Sequence, residues 1–480
     1  MFAKKGMSVE GECAGCRTLS RRDWFREASN GFGMLALSAL LAEESRAHNA
    51  TSSTSTSKAK SVIFFFMDGG PSHVDTFDPK PELARRQGKK IGQSAVSTKS
   101  QSAPDRVWLG SPWEFKQHGK SGLWVSNLFP HLASVSDELC VIRSMVGQQP
   151  LHGQQNLLLH TGRVTGMAPS IGSWVSYGLG KSRDNLPNYV VLNNDWIPNG
   201  GFENFSSAFL PAFHGATMLR AKGIPMDNIA PLDSAAVQER KLALIREQDQ
   251  AFAATTADET IESAIKNYET AFHLQSEIPE LADVSRESQA TRALYGLDSS
   301  NDYKKYYGLQ CLRARRLIEA GVRFVEVTCP LTHPNNSPWD QHANLKKYHE
   351  ENALITEQGV AAVIKDLKQR GLLDTTIVLW AGEMGRTPHT PKITDEVGRD
   401  HHVNGYSIFI AGGGFKPGSV YGSTDDFGNS VVEHPTTIHD VHATILLQLG
   451  LDHRRLTFRF SGRDMSLTDI HGELIHDVLA

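Results

Sequence analysis

Six short apolar runs, at 61–67, 139–144, 188–192, 322–327, 375–380 and 407–411, constrain this chain more than any other feature. Each is a near-continuous stretch of Val, Ile, Leu and Phe rather than a strict alternation with polar residues. A strand covered on one face alternates and one covered on both does not, so these runs predict a largely parallel sheet with helices on either side. Helical stretches separate them. Residues 303–320 read as an amphipathic helix stopped by Gly321. The charged, Ala/Glu/Gln-rich block at about 232–297 has no strand signal and reads as a helical insertion on the sheet's flank. The expected fold is an α/β three-layer sandwich with a largely parallel central sheet. Segment 85–119, of mixed polarity and little periodicity, is expected to be a long surface loop.

The N-terminus must be set aside first. Ser20, Arg21, Arg22, Asp23, Trp24 and Phe25 precede an apolar run at 31–42, the order of a twin-arginine export signal. Twelve residues suit a signal peptide and fall short of the ~20 that span a bilayer. The expected organisation is a signal at 1–50, a Ser/Thr-rich tether at 51–57 and one domain at 58–480. This places the mature protein in the periplasm or otherwise outside the cytoplasm, with the twin-arginine export machinery as a partner and no stable membrane span. The 49 Lys plus Arg against 53 Asp plus Glu give a net charge of −4, which argues against a nucleic-acid partner. Five cysteines are too few and scattered for a disulfide framework, whereas twenty histidines are unusual.

Acids and histidines gather next to the predicted strands, where ligands bind in open parallel sheets. Asp68-Gly69-Gly70-Pro71-Ser72-His73-Val74-Asp75 opens out of the first run. Its glycines permit a tight turn, and Asp68, His73 and Asp75 offer oxygen and nitrogen donors to a divalent metal. Asp340 and His342 lie two residues apart after the fourth run, a carboxylate–imidazole pair suited to zinc, manganese or iron. Glu383 and Arg386 follow the fifth run: the acid could bind a metal, and the guanidinium could fork onto phosphate or sulfate oxygens. Asp400, His401 and His402 precede the sixth; adjacent histidines point apart, so one of the two is expected as a ligand.

The order Asp68-Gly69-Gly70-Pro71-Ser72-His73, Trp339-Asp340-Gln341-His342, Gly382-Glu383-Met384-Gly385-Arg386-Thr387-Pro388 and Gly398-Arg399-Asp400-His401 resembles the exported family catalogued as domain of unknown function fifteen-oh-one. That family is similar in turn to the alkaline phosphatase and sulfatase superfamily. The resemblance implies an alkaline-phosphatase-like fold and one or two divalent ions, with zinc, manganese, calcium and iron undistinguished. It matches Asp68 to the early aspartate, Asp340 and His342 to the mid-chain pair, Glu383 to the later acid, and His401 or His402 to the last histidine. Sulfatases carry a C/S-x-P-x-R stretch about nine residues ahead of Thr-Gly-Arg. Here His152 stands nine residues before Thr161-Gly162-Arg163, so formylglycine chemistry is disfavoured. His152 is left as metal ligand, general base, nucleophile or the relic of a lost active site. The expected function is an exported metal-dependent hydrolase of phosphate or sulfate esters, acting on a small-molecule or glycan ester. His152 and Arg386 are its catalytic candidates. The alternative is a non-catalytic carbohydrate- or anion-binding protein on a degenerate fold of this type.

Overall fold

The computed structural model describes residues 57–480 apart from 98, 99, 101, 184, 228, 231, 232, 257 and 258. The expected export signal and all but Ser57 of the tether lie outside the described residues. Eight strands form the central sheet: β1 (Ser61–Phe66), β2 (Leu139–Met145), β3 (Tyr189–Asn193), β4 (Thr217–Arg220), β5 (Phe324–Thr328), β6 (Thr376–Ala381), β7 (Tyr406–Ala411) and β8 (Ser419–Tyr421). Their spatial order is β8-β2-β7-β6-β1-β5-β3-β4. All neighbours pair in parallel except β7, which runs antiparallel to both β2 and β6.

Both faces of the sheet are buried, which is why its strands read as unbroken apolar runs. Ile63 and Phe65 of β1 belong to one core with Val325, Val327, Val378 and Trp380, whereas Val62, Phe64 and Phe66 belong to the other with Ile377 and Leu379. The second face is covered by helices α1 (His152–Thr161), α2 (Ile171–Leu179) and α7 (Ile438–Gln448), through Leu158, Leu159, Trp174, Val175, Val441 and Ile445. Between α2 and α7 come α3 (Ala235–Thr256) and α4 (Glu259–Ala282), within the expected insertion, and α5 (Asp302–Ala320) and α6 (Leu345–Gln369), which cover the first face. Gly321 ends α5 at φ 102°, a left-handed conformation that suits glycine. Among the described residues no helix is long and apolar enough to cross a membrane, and Cys140, Cys311 and Cys329 are free and buried.

Segment 85–119 departs from the surface loop expected of it. It contains a two-residue strand at Val107–Trp108 and a longer one at Phe115–His118. Ile91 and Trp108 join Leu83 and Val74 in a small core of their own. Each short element is pinned by one or two apolar side chains, too few to leave a periodic signal.

Candidate metal centre

Strands β6, β1 and β5 stand side by side, and the segments leaving their carboxyl ends converge. Asp68 lies two residues beyond β1 and Glu383 two beyond β6, while Asp340 returns on the loop that follows β5. Because β7 is antiparallel, its start lies at this same edge, which brings in the preceding Asp400 and His401. Helix α1, entered from the end of β2, contributes His152 at its first position. Close approach depends on Gly69, at φ 104°, where a Cβ would lie 2.6 Å from the Asp340 backbone nitrogen.

Asp340 is the hub. Its Oδ1 lies 2.7 Å from Arg386 Nη2, 3.0 Å from His342 Nε2, and 3.3 Å from both His152 Nε2 and His401 Nε2. On each ring the other nitrogen faces an acceptor. His152 Nδ1 donates to Glu383 Oε1 at 2.6 Å, His342 Nδ1 to Asp400 Oδ1 at 2.6 Å, and His401 Nδ1 to the Pro150 carbonyl at 2.8 Å. Each ring thus sits between two acceptors, Nδ1 facing Glu383, Asp400 or the Pro150 carbonyl and Nε2 facing one carboxylate oxygen. His342 Nε2 and His401 Nε2 are only 3.0 Å apart, and buried His152 Nε2 has no hydrogen-bond partner. Ring nitrogens crowded in this way around a carboxylate oxygen need positive charge, a proton or a cation, among them.

The electrostatics agree. Burial pulls the His152 pKa down, but Asp340 and Glu383 outweigh it and lift it to about 9. His342 is raised by its bonds to Asp340 and Asp400, whereas burial lowers His401. Burial works against the Asp340 carboxylate, yet Arg386 and the three histidines hold it far below the usual range. The ligand-capable atoms of His152, Asp340 and His401 all lie within 4.8 Å of one another, so these residues fit a metal ion. Solvent reaches the group from the His342 side, that side chain being 39% exposed against 9% for His152.

The remaining candidates are distributed around this hub. Asp68 accepts from Asn156 Nδ2 at 3.1 Å and Trp196 Nε1 at 2.8 Å. Burial first and then the Glu383 charge push its pKa up to about 7. Glu383 and Asp400 serve as acceptors for His152 and His342, and Glu383 also receives the Gly69 N–H at 3.0 Å. Arg386, expected as an oxyanion clamp, is fully buried. Besides Asp340 its guanidinium binds the carbonyls of Gly69, Gly70 and Arg399, so it orients the hub rather than facing an open site.

His73 and Asp75 are not brought to the group. The short helix His73–Thr76 carries them beneath it, where His73 Nε2 bonds the Gly428 carbonyl at 2.8 Å and Asp75 forms a two-pronged pair with Arg399 at 2.6 and 3.1 Å. His402 points away from His401 and stacks on His73, ring centres 6.1 Å apart. Arg106 was missed: it joins Asp400 to His389 from inside the supposed surface loop. Asn156 was also missed, although its four-residue spacing from His152 places it on the same face of α1.

Similar solved structures include the lipoteichoic acid synthase LtaP from Listeria monocytogenes (10% identity over 86% of this chain and 75% of that one, TM-score 0.36). They also include the PsFucS1 sulfatase from Pseudoalteromonas sp. (12%, 85% and 71%, TM-score 0.35) and a phosphonate monoester hydrolase from Silicibacter pomeroyi (13%, 67% and 68%, TM-score 0.30). No curated protein matches by sequence. A family model does match, over residues 59–479, and the chain accordingly belongs to the family described as protein of unknown function DUF1501.

Proposed function

We propose that the protein is a metal-dependent hydrolase of phosphate or sulfate esters, with one divalent ion held by His152, His342, His401 and Asp340. The observation that carries this reading is the set of three imidazoles whose Nδ1 atoms each face an acceptor while their Nε2 atoms meet at one carboxylate oxygen. Carboxylate–histidine pairs of this kind fix the tautomer and strengthen the donor in metal sites. A nitrogen-rich donor set suits zinc, manganese or iron and disfavours calcium, which takes oxygen ligands.

A bound ion would supply Lewis-acid polarisation of an ester oxygen. The chain's own groups do the rest. Glu383 and Asp400 hold the His152 and His342 rings, and Arg386 fixes Asp340. Asp68, whose pKa burial and then Glu383 raise to about 7, is held by Trp196 and Asn156. His152 is thus read as a ligand rather than a nucleophile. The substrate is a small-molecule or glycan ester met outside the cytoplasm, an assignment supported by the twin-arginine pattern at Arg21-Arg22 and tested by loss of export in an Arg21→Lys/Arg22→Lys variant.

One observation favours the second reading, a non-catalytic anion or carbohydrate binder: with Arg386 buried and engaged, it offers no guanidinium to ester oxygens. Zinc-, manganese- and iron-loaded protein assayed on nitrophenyl phosphate, phosphodiester and sulfate separates the two. The hydrolase reading expects metal-dependent turnover that Asp340→Ala abolishes. Metal and glycan binding without any turnover supports the binder.

A further inference from the structure

Helix α1 carries His152, Asn156 and His160 in steps of four, so the three share one face, with Leu157, Leu158 and Leu159 between the last two. Each meets a buried acid from a different strand segment. His152 Nδ1 bonds Glu383 after β6 at 2.6 Å, Asn156 Nδ2 bonds Asp68 after β1 at 3.1 Å, and His160 Nε2 bonds Glu326 within β5 at 2.9 Å. Strands β6, β1 and β5 are consecutive in the sheet, so the contacts form a three-rung ladder along the helix.

The third rung lies outside the proposed metal set and is the anomalous one. Glu326 is fully buried in the middle of its strand, and Tyr189 Oη donates to its second oxygen at 3.1 Å. His160 is fully buried among Phe64, Phe66 and Phe205, and its Nδ1 bonds the Asn156 carbonyl at 2.8 Å. An ionisable pair in such a core is weak evidence of stability, because apolar residues of similar volume often serve the fold as well or better. Its geometry does something an apolar pair could not. A bond of fixed length and direction at His160 sets the helix's slide and rotation against the sheet, and two turns away that decides where the His152 ring lies.

We propose that His160 and Glu326 are positioning residues for the metal centre: they fix the register of α1 on the sheet, so that Asn156 meets Asp68 and His152 presents Nε2 to Asp340. This rests on the metal reading for its consequence but not for its geometry, and the test keeps the two apart. Cobalt(II) is titrated into the full-length protein and into a His160→Leu/Glu326→Leu variant, following visible absorption and the thermal midpoint. The expected result is a midpoint within a few degrees of the parent, roughly tenfold weaker cobalt affinity, and an altered ligand-field spectrum, the size known for groups behind metal ligands. A folded variant with the parent's affinity and spectrum overturns the proposal. Should the double variant not fold, Glu326→Gln, which preserves shape, is expected to shift the spectrum in the same direction; an unchanged spectrum overturns the proposal equally. If the parent itself binds no cobalt, the metal reading falls, and crystals of Glu326→Gln then decide the ladder: the 2.6 Å His152–Glu383 bond is expected to lengthen or break, and its retention is the contrary result.

Discussion

Two clusters of the same residue types meet in this molecule at the short strand His401–His402. The first gathers Asp340, His152, His342 and His401 at the sheet's edge; the second holds Asp75, Arg399, His73 and His402 beneath it. They differ in how the acid is partnered and not in their histidines, since His73 Nδ1 and both His402 ring nitrogens lack hydrogen-bond partners as well. Asp75 receives both prongs of a guanidinium, a closed ion pair with neither side chain exposed. Asp340 receives one guanidinium nitrogen and is then approached by three imidazole nitrogens, of which His152 Nε2 has no partner. An acid in such a motif can equally become structure or chemistry, and whether a guanidinium closes on it or several imidazoles converge on it tells the two apart.

The sharpest way to break this comparison is to remove each acid in turn. Asp340→Asn, which keeps an oxygen for the buried Arg386, is expected to abolish stoichiometric zinc or cobalt binding, measured by elemental analysis after gel filtration, with the fold retained. Asp75→Ala is expected to do the reverse. It strands the buried Arg399 charge and costs about 3–5 kcal/mol in urea unfolding, while cobalt affinity stays within a few-fold of the parent. If Asp75→Ala instead eliminated metal binding in folded protein, the division between the clusters would be false. A smaller effect is expected of Asp400→Asn, which weakens the acceptor behind His342: about 10-fold lower cobalt affinity, read by competition with a chelating dye.

The slightest effect separates buried histidines that have a carboxylate beside them from those that do not. His442 has none; burial and its nearness to His439 lower its pKa to about 3, against the raising effect of the Leu159 carbonyl, from 6.5 in the unfolded chain. Between those values the unfolded state binds the extra proton, so the contribution is complete above pH 6.5 and declines as pH falls toward 3. The slope is at most about 1.4 kcal/mol per pH unit. His442→Gln retains a donor for the Leu159 carbonyl and is expected to flatten urea stability between pH 6 and 4.5 by up to that amount.

Much of the frame is legible in the sequence. All six apolar runs become strands of the central sheet, their ends moved by one or two residues. The two short strands β4 and β8 went unread because Thr217–Arg220 and Ser419–Tyr421 are partly exposed and carry little apolar run. The site was legible as an inventory and not as an assignment. Whether Asp75 faces a cation or a guanidinium depends on Arg399, 324 positions away, and on the strand zigzag that sends His401 and His402 to opposite sides. Arg106 was hidden because its segment reads as loop, and Glu326 because one acid inside an apolar strand looks like noise. Local pattern reports which residues face a core; it does not report which long-range partner spends their charge.

The central claim, that one ion is held where three imidazoles meet Asp340, is tested most directly by an anomalous-difference map at the zinc edge from zinc-soaked crystals. One strong peak is expected within ligand distance of His152 Nε2, His342 Nε2, His401 Nε2 and Asp340 Oδ1. A map with no peak there at saturating zinc, and those nitrogens hydrogen-bonded directly to the carboxylate, would contradict it.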